Sequence, residues 1–166
     1  NFPFLSRPPR EALEKALLQL LQLGALTEAG EISDVGRTIA KLPLTPTLGR
    51  CLIEAAQPER DCLNEVIDVI AALSVENVFL SLVTEEKKEE AEAARRQLYR
   101  REGDHMTLLA TVQGYADERS DRKAWAERHY VSHRAMQNVM VSLRCLQWAI
   151  HGVDSDIQDA FEPSVK

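Results

Sequence analysis

Residues 100–118, RREGDHMTLLATVQGYADE, do most to limit what this chain can become. Gly103 breaks whatever helix precedes it, and Asp104 is a residue type that accepts hydrogen bonds from the free N–H groups of a first helical turn. We therefore expect Asp104 to be the structural cap of a helix. Behind it His105, Leu108, Leu109, Val112, Tyr115 and Ala116 recur at helical spacing and form one face. The other face carries Thr107, Thr111 and Gly114, all small. Such a helix is packed from behind and approached closely in front. A neighbouring helix and an extended ligand, such as a nucleic-acid backbone, both satisfy that pattern.

The segments before this helix fall into two kinds. Residues 2–9 contain three prolines and make an extended lead-in, after which Pro8 and Pro9 suit a helix start. Residues 11–23 predict that helix, with Leu13, Ala16, Leu17 and Leu20 as its buried stripe and Gly24 as its stop. Residues 25–27 and 31–33 flank Glu28-Ala29-Gly30 as a short β-hairpin, and Asp34 then caps a helix over 35–41. Leu42-Pro43-Leu44-Thr45-Pro46 is a rigid break before a third helix over 47–56. Helices around one small hairpin outline a winged-helix module. From residue 59 onward only helices are expected. Residues 60–73 carry Leu63, Val66, Ile67 and Ile70 on one face, and 75–83 make a short apolar helix or turn. Residues 84–101, rich in Glu, Lys, Ala and Arg, predict a solvated helix or insertion. After the central helix come a short one over 124–129 and a long one over 131–150, with Met136, Val139, Leu143, Leu146 and Ile150 in a seam.

The net charge of −6 argues against indiscriminate nucleic-acid binding, yet residues 105–151 sum to +2 and hold all four histidines. Cys51, Cys62 and Cys145 are widely spaced with no C-x-x-C, which fits neither a disulfide framework nor a zinc site. No apolar run reaches the roughly 18 residues of a membrane span, so no membrane partner is expected. The first residue, Asn1, is not a Met and opens no leader, which leads us to expect a piece of a longer protein. Phosphate loops, G-x-G-x-x-G, G-x-S-x-G and H-E-x-x-H are all missing, and no catalytic residue is singled out.

On the last helix Arg134, Gln137, Asn138, Arg144 and Trp148 fall away from the apolar seam. Two arginines, two amides and an aromatic are the set that contacts phosphates, sugars and stacked bases of a single strand. An ordinary exposed face with Trp148 capping the core has the same pattern. His129 and His133, four apart, match a metal pair in spacing alone, without an acid between them, and we assign no metal.

Three blocks in order carry a resemblance. They are L-x-x-A-L-x-x-L-x-x-L-G-A-L-T-x-x-G-x-I-S-x-x-G-R-x-I-A-x-L-P-L-x-P-x-L over 13–48, A-x-L-S-V-x-N-V-F over 71–79, and E-G-D-H-M-T-L-L over 102–109. Together they resemble the helicase-associated region of DEAH-box RNA helicases, including relatives in splicing and ribosome biogenesis. The resemblance implies a mainly α chain: a degenerate winged helix with a small β-hairpin over 1–58, then a helical ratchet-like bundle over 59–151. Residues 152–166 would be a linker toward a missing OB-like domain. It also implies that two RecA-like motor domains lie upstream, holding ATP and Mg, with no cofactor in this region. The implied role is non-catalytic, walling the channel through which single-stranded RNA is pulled, in a nuclear or nucleolar protein. His105 and Thr107 fall directly on the E-G-D-H-x-T-L-L motif. The family's last helix carries an Arg nine residues after an earlier one, whereas Arg134 and Arg144 here are ten apart. The expected RNA-contacting set is therefore His105, Thr107, Thr111, Gly114, Arg134, Asn138 and Arg144. In relatives the winged-helix side receives an activating G-patch protein, so a protein-interaction platform is the second reading. A freestanding winged-helix DNA binder ranks last, because residues 11–23 and 47–56 offer almost no base.

Overall fold

The computed structural model describes residues 8–151; the start of the lead-in (residues 1–7) and the expected linker (residues 152–166) lie outside the described residues. The described chain is mainly α, with eight helices and two isolated antiparallel bridges. It divides into two compact units. One takes in the described residues up to Glu59 and from Ala149 on, the other Arg60–Trp148.

In the first unit α1 spans Arg10–Gln22, started by Pro9, whose missing N–H is not needed there. Gly24, at φ +71°, lets its own N–H reach the Leu21 carbonyl and the Ala25 N–H reach that of Leu20, which closes the helix end. The apolar stripe expected on α1 is not buried: Leu13 is 45% exposed and Leu17 56%. The small core here, Ala25, Ile39 and Ile53, is filled by the following turn and by α2 (Asp34–Lys41) and α3 (Pro46–Ala55), and takes only Leu20 from α1. The expected hairpin reduces to one bridge, Leu26 to Ile32, with no strand among the described residues. Ser33 ends it at once by capping α2, its Oγ accepting from the Gly36 N–H at 2.9 Å. Asp34 is thereby moved inside the first turn, where it pairs with Arg37 at 2.7 Å.

The second unit is built on α4 (Leu63–Leu73) packed along α6 (Asp104–Asp117). Ile67, Ile70 and Ala71 from α4 and Leu109, Val112 and Tyr115 from α6 are all buried. α7 (Arg122–Arg128) adds Trp125 and Ala126, and α8 (His133–His151) adds Met136, Val139 and Leu146 from the seam its spacing predicts. Each fully buried side chain of this size contributes about 1.5–3 kcal/mol. Residues 75–83 are not helical. Asn77 Oδ1 accepts from the Phe79 N–H at 3.0 Å, a local turn that competes with helix formation. The chain beyond it runs antiparallel to the approach to α8, through Ser132 N–H to Val78 O at 2.8 Å and Leu80 N–H to Tyr130 O at 3.0 Å. α5 (Glu85–Arg95) is solvated on most of its surface, but Ala91 and, just beyond the helix, Leu98 are buried.

The start of α6 corrects one expectation. Gly103, at φ +134° and ψ 176°, is the residue before the helix, and Asp104 is already its first helical residue, with no side-chain cap bond. That backbone conformation belongs to glycine, so the turn is made by the glycine and the carboxylate acts only on the helix dipole. Gly103→Ala should therefore cost on the order of 1–3 kcal/mol, while Asp104→Ala costs about 0.5 kcal/mol. Urea melts of the two variants check this ordering, and a reversed order restores Asp104 as the cap.

Candidate functional site

The bridge between residues 78–80 and 130–132 is held by a side chain from α5. Arg95 donates through Nε to the His129 carbonyl at 3.2 Å and through Nη2 to those of Tyr130 at 2.5 Å and Leu80 at 3.4 Å. Its guanidinium carbon lies 4.8 Å from the Phe79 ring centre, and burial lowers its pKa from the usual arginine value. Tyr130 closes α7 in the left-handed region, φ +53°, a conformation a bulky residue adopts only where its surroundings insist. Its hydroxyl donates to Glu90 Oε2 at 2.7 Å, a bond that raises the tyrosine pKa.

Two cavities in this unit draw on the residues that bridge organises. The first, about 460 Å³, is polar and lies among Ser74, Glu76, Asn77, Ser132, Arg134 and Asn138. Two of these groups are already engaged: Ser74 Oγ donates to the Ile70 carbonyl, and Ser132 Oγ accepts from the Ala135 N–H. Arg134 and Asn138 are one turn apart on α8 and both exposed, and Asn77 retains its amide donors because only its oxygen is used. The lining thus offers a guanidinium, two amides and one carboxylate to whatever enters. The second cavity, about 470 Å³, is lined by Phe79, Glu92, Arg95, Arg96, Tyr99 and Thr107 and is largely apolar.

The residues expected from sequence fall into separate places. Arg134 and Asn138 come together in the polar cavity. Thr107 lines the other one, and its Oγ1 is engaged, accepting from the Arg100 N–H at 3.0 Å and donating to the Gly103 carbonyl. Thr111 is fully buried, its hydroxyl donating to the Thr107 carbonyl at 2.7 Å. A Cβ on Gly114 would lie 2.9 Å from the Trp125 ring. The small face of α6 at Thr111 and Gly114 is therefore occupied by protein: of the two occupants its pattern allowed, the structure selects the neighbouring helix. His105 is exposed in the first turn of α6, outside both linings. α8 runs unbroken, so Arg144 lies about 15 Å along it from Arg134 and does not share its cavity. Trp148 is 82% exposed and does not cap the core.

The histidine pair is spent on packing. His129 donates from Nδ1 to the Trp125 carbonyl at 2.8 Å and stacks on that indole, with ring centres 4.2 Å apart. His133 Nδ1 shares a hydrogen bond of 3.1 Å with the hydroxyl of Tyr115, a buried phenol whose pKa is raised by burial and partly drawn back by Arg122. Sequence reasoning missed residues 74–77 and 92–99 as site-forming. The first stretch lay inside the S-V-x-N motif already singled out. The second was marked by Ala91 and Arg95 on one side of a helix that composition alone made look solvated, and by Leu98 just after it.

Comparison with known proteins bears on this arrangement. Residues 16–44 match the winged-helix part of the helicase-associated domain (HA2), and residues 45–108 match its ratchet-like part. The chain is 34% identical over 152 residues to the pre-mRNA-splicing factor ATP-dependent RNA helicase DEAH10 of Arabidopsis thaliana, covering 83% of this chain and 21% of that protein. It is also 34% identical over 137 residues to the pre-mRNA-splicing factor ATP-dependent RNA helicase prp22 of Schizosaccharomyces pombe, covering 82% of this chain and 11% of that protein. The chain thus spans about a fifth or less of the length of these relatives.

Because Gly114 meets Trp125, bulk there should act on the fold. Gly114→Leu is expected to destabilise the second unit by about 1–3 kcal/mol through overpacking. A thermal melt unchanged from wild type would mean the α6–α7 contact is loose enough to admit a ligand.

Proposed function

Since this chain belongs to the helicase-associated (HA2) family of DEAH-box RNA helicases, we propose that its second unit is a non-catalytic wall for single-stranded RNA in a larger helicase. The observation that carries the reading is the polar cavity, where Arg134, Asn138 and Asn77 converge. An arginine and amides suit a phosphate and its sugar. Glu76, the one acid of the lining among the described residues, suits the donor of a ribose 2′-hydroxyl, the group that separates RNA from DNA. ATP and Mg would be held by RecA-like domains elsewhere in the parent protein, and an OB-like domain would complete the channel. Both relatives are pre-mRNA-splicing factors, which supports RNA remodelling in splicing and with it a nuclear location; the wider family extends the proposal to ribosome biogenesis and the nucleolus. His105 and Arg144 remain secondary contacts, each exposed but apart from the cavity.

A second reading rests on its own observation. Leu17, Leu18 and Leu21 of α1 stand exposed beside a groove of about 380 Å³ that also takes in Glu14, Leu26 and Glu28. That surface suits an amphipathic segment of a protein partner, of which an activating G-patch protein is the example the family suggests. Placing a charge in the groove with Leu17→Glu should abolish such an interaction and leave RNA affinity alone.

The RNA reading is tested by titrating single-stranded RNA at several salt concentrations. Arg134→Ala should weaken binding to all sequences alike and lower the salt slope by about 0.7, the value for one phosphate on a single strand. With a net charge of −6, wild-type binding should itself be modest. Equal affinity and slope in wild type and Arg134→Ala would remove the cavity from the RNA path and leave the platform reading in front.

A further inference from the structure

We propose that the second cavity, between α5 and the start of α6, receives one base of the single strand and fits guanine best. This rests on the RNA-wall reading and adds to it a site that reads a base. The cavity, at about 470 Å³, is roomy enough for a nucleobase, and Phe79 and Tyr99 give its lining two aromatic rings. Tyr99 is 63% exposed, and neither its ring nor its hydroxyl has a partner among the described residues. Phe79 is backed by the Arg95 guanidinium, which three carbonyls hold in place. A free tyrosine face near a fixed arginine–phenylalanine stack is a platform on which a base can lie.

The polar groups narrow the choice. Glu92 lines the cavity and makes no ion pair among the described residues, so its two acceptor oxygens are uncommitted. Guanine offers two adjacent N–H donors on its pairing edge, so it can meet both oxygens. Uracil offers a single N–H between two carbonyls, and a carboxylate repels those. Thr107 contributes only shape, since its hydroxyl is engaged. Arg96, one turn from Glu92 and also without an ion pair, supplies a cation for the attached phosphate. An arginine from a protein partner would also find Tyr99 and Glu92, but residues 93–101 hold four arginines and no acid, which favours a polyanion.

The test uses this chain and short oligouridines carrying one central guanosine, inosine, adenosine or abasic site, titrated at about 50 mM salt, where phosphate contacts are strong. The guanosine strand should bind about tenfold tighter than the inosine strand, which lacks the 2-amino donor, and than the abasic one. Glu92→Gln and Tyr99→Ala should each bring that ratio to within about twofold, and Tyr99→Phe should retain it, since stacking needs the ring alone. A 6-thioguanosine at the same position should photocrosslink to Tyr99. Equal binding of all four strands by wild type, with Arg134→Ala still weakening every one, overturns the base site and leaves the wall reading standing. A guanosine preference that survives both Glu92→Gln and Tyr99→Ala assigns base reading elsewhere and overturns it as well. No RNA binding by wild type removes the wall reading, and the base site falls with it.

Discussion

The second unit hangs on one guanidinium. Arg95 reaches from the end of α5 to carbonyls on both sides of the 78–80 and 130–132 bridge. Of those oxygens only that of Tyr130 also accepts a backbone bond among the described residues, from the Leu80 N–H. A charged donor to a partly buried carbonyl is worth on the order of 1–3 kcal/mol. Two such bonds, to His129 and Tyr130, weigh noticeably against a total domain stability of about 5–15 kcal/mol, and the longer, exposed one to Leu80 adds less. The same contact offsets the strain of Tyr130, whose left-handed backbone turns the chain from α7 into α8. Arg95 thus fixes where α8 begins, and with it the positions of Ser132, Arg134 and Asn138.

That dependence explains why both cavities belong to one short segment. Asn77 opens the polar cavity and Phe79 lines the aromatic one, two residues apart in the chain. Between them Val78 is buried and its carbonyl is bonded to Ser132. An irregular segment flanked by helices can aim neighbouring side chains in different directions, which a helix, with its fixed 100° step, does not. Functional groups gather on such connections because the helices around them supply rigidity.

Much of the helical layout could be read from the chain. The seam Met136, Val139, Leu146 and the face Leu109, Val112, Tyr115 follow from period alone, since burial repeats every three to four residues. What failed were decisions between partners that share one pattern. The small face of α6 fitted a ligand or a helix equally, and only three-dimensional packing brings Trp125 to Gly114. The stripe on α1 has the right spacing for burial, but the first unit's core is too small to cover it. Asp104 is a good capping residue displaced by its neighbour, because a glycine free to take φ +134° let the helix begin one residue earlier than a cap at Asp104 requires. For the site, Arg134 and Asn138 were visible as exposed polar residues one turn apart. Glu92, Arg96 and Tyr99 were hidden in a segment whose Glu, Lys and Arg content resembles a solvated insertion.

The exposure of α1 has an energetic meaning of its own. A helix of thirteen residues is marginal by itself in water. This one is tied to its unit through Leu20 and a long side-chain contact from Gln19 to Thr47 at 3.4 Å. With its leucines exposed, its opening free energy should fall below that of α4 or α6, whose apolar faces are buried. In hydrogen exchange its amides would be among the first to trade, and the Schellman turn at Gly24 would mark where protection begins to rise. Any surface that covers the leucines must also supply the order they lack, so part of its contact energy goes into holding the helix. Such a partner would bind more weakly than its buried area suggests and leave more readily, an attachment made to be reversed.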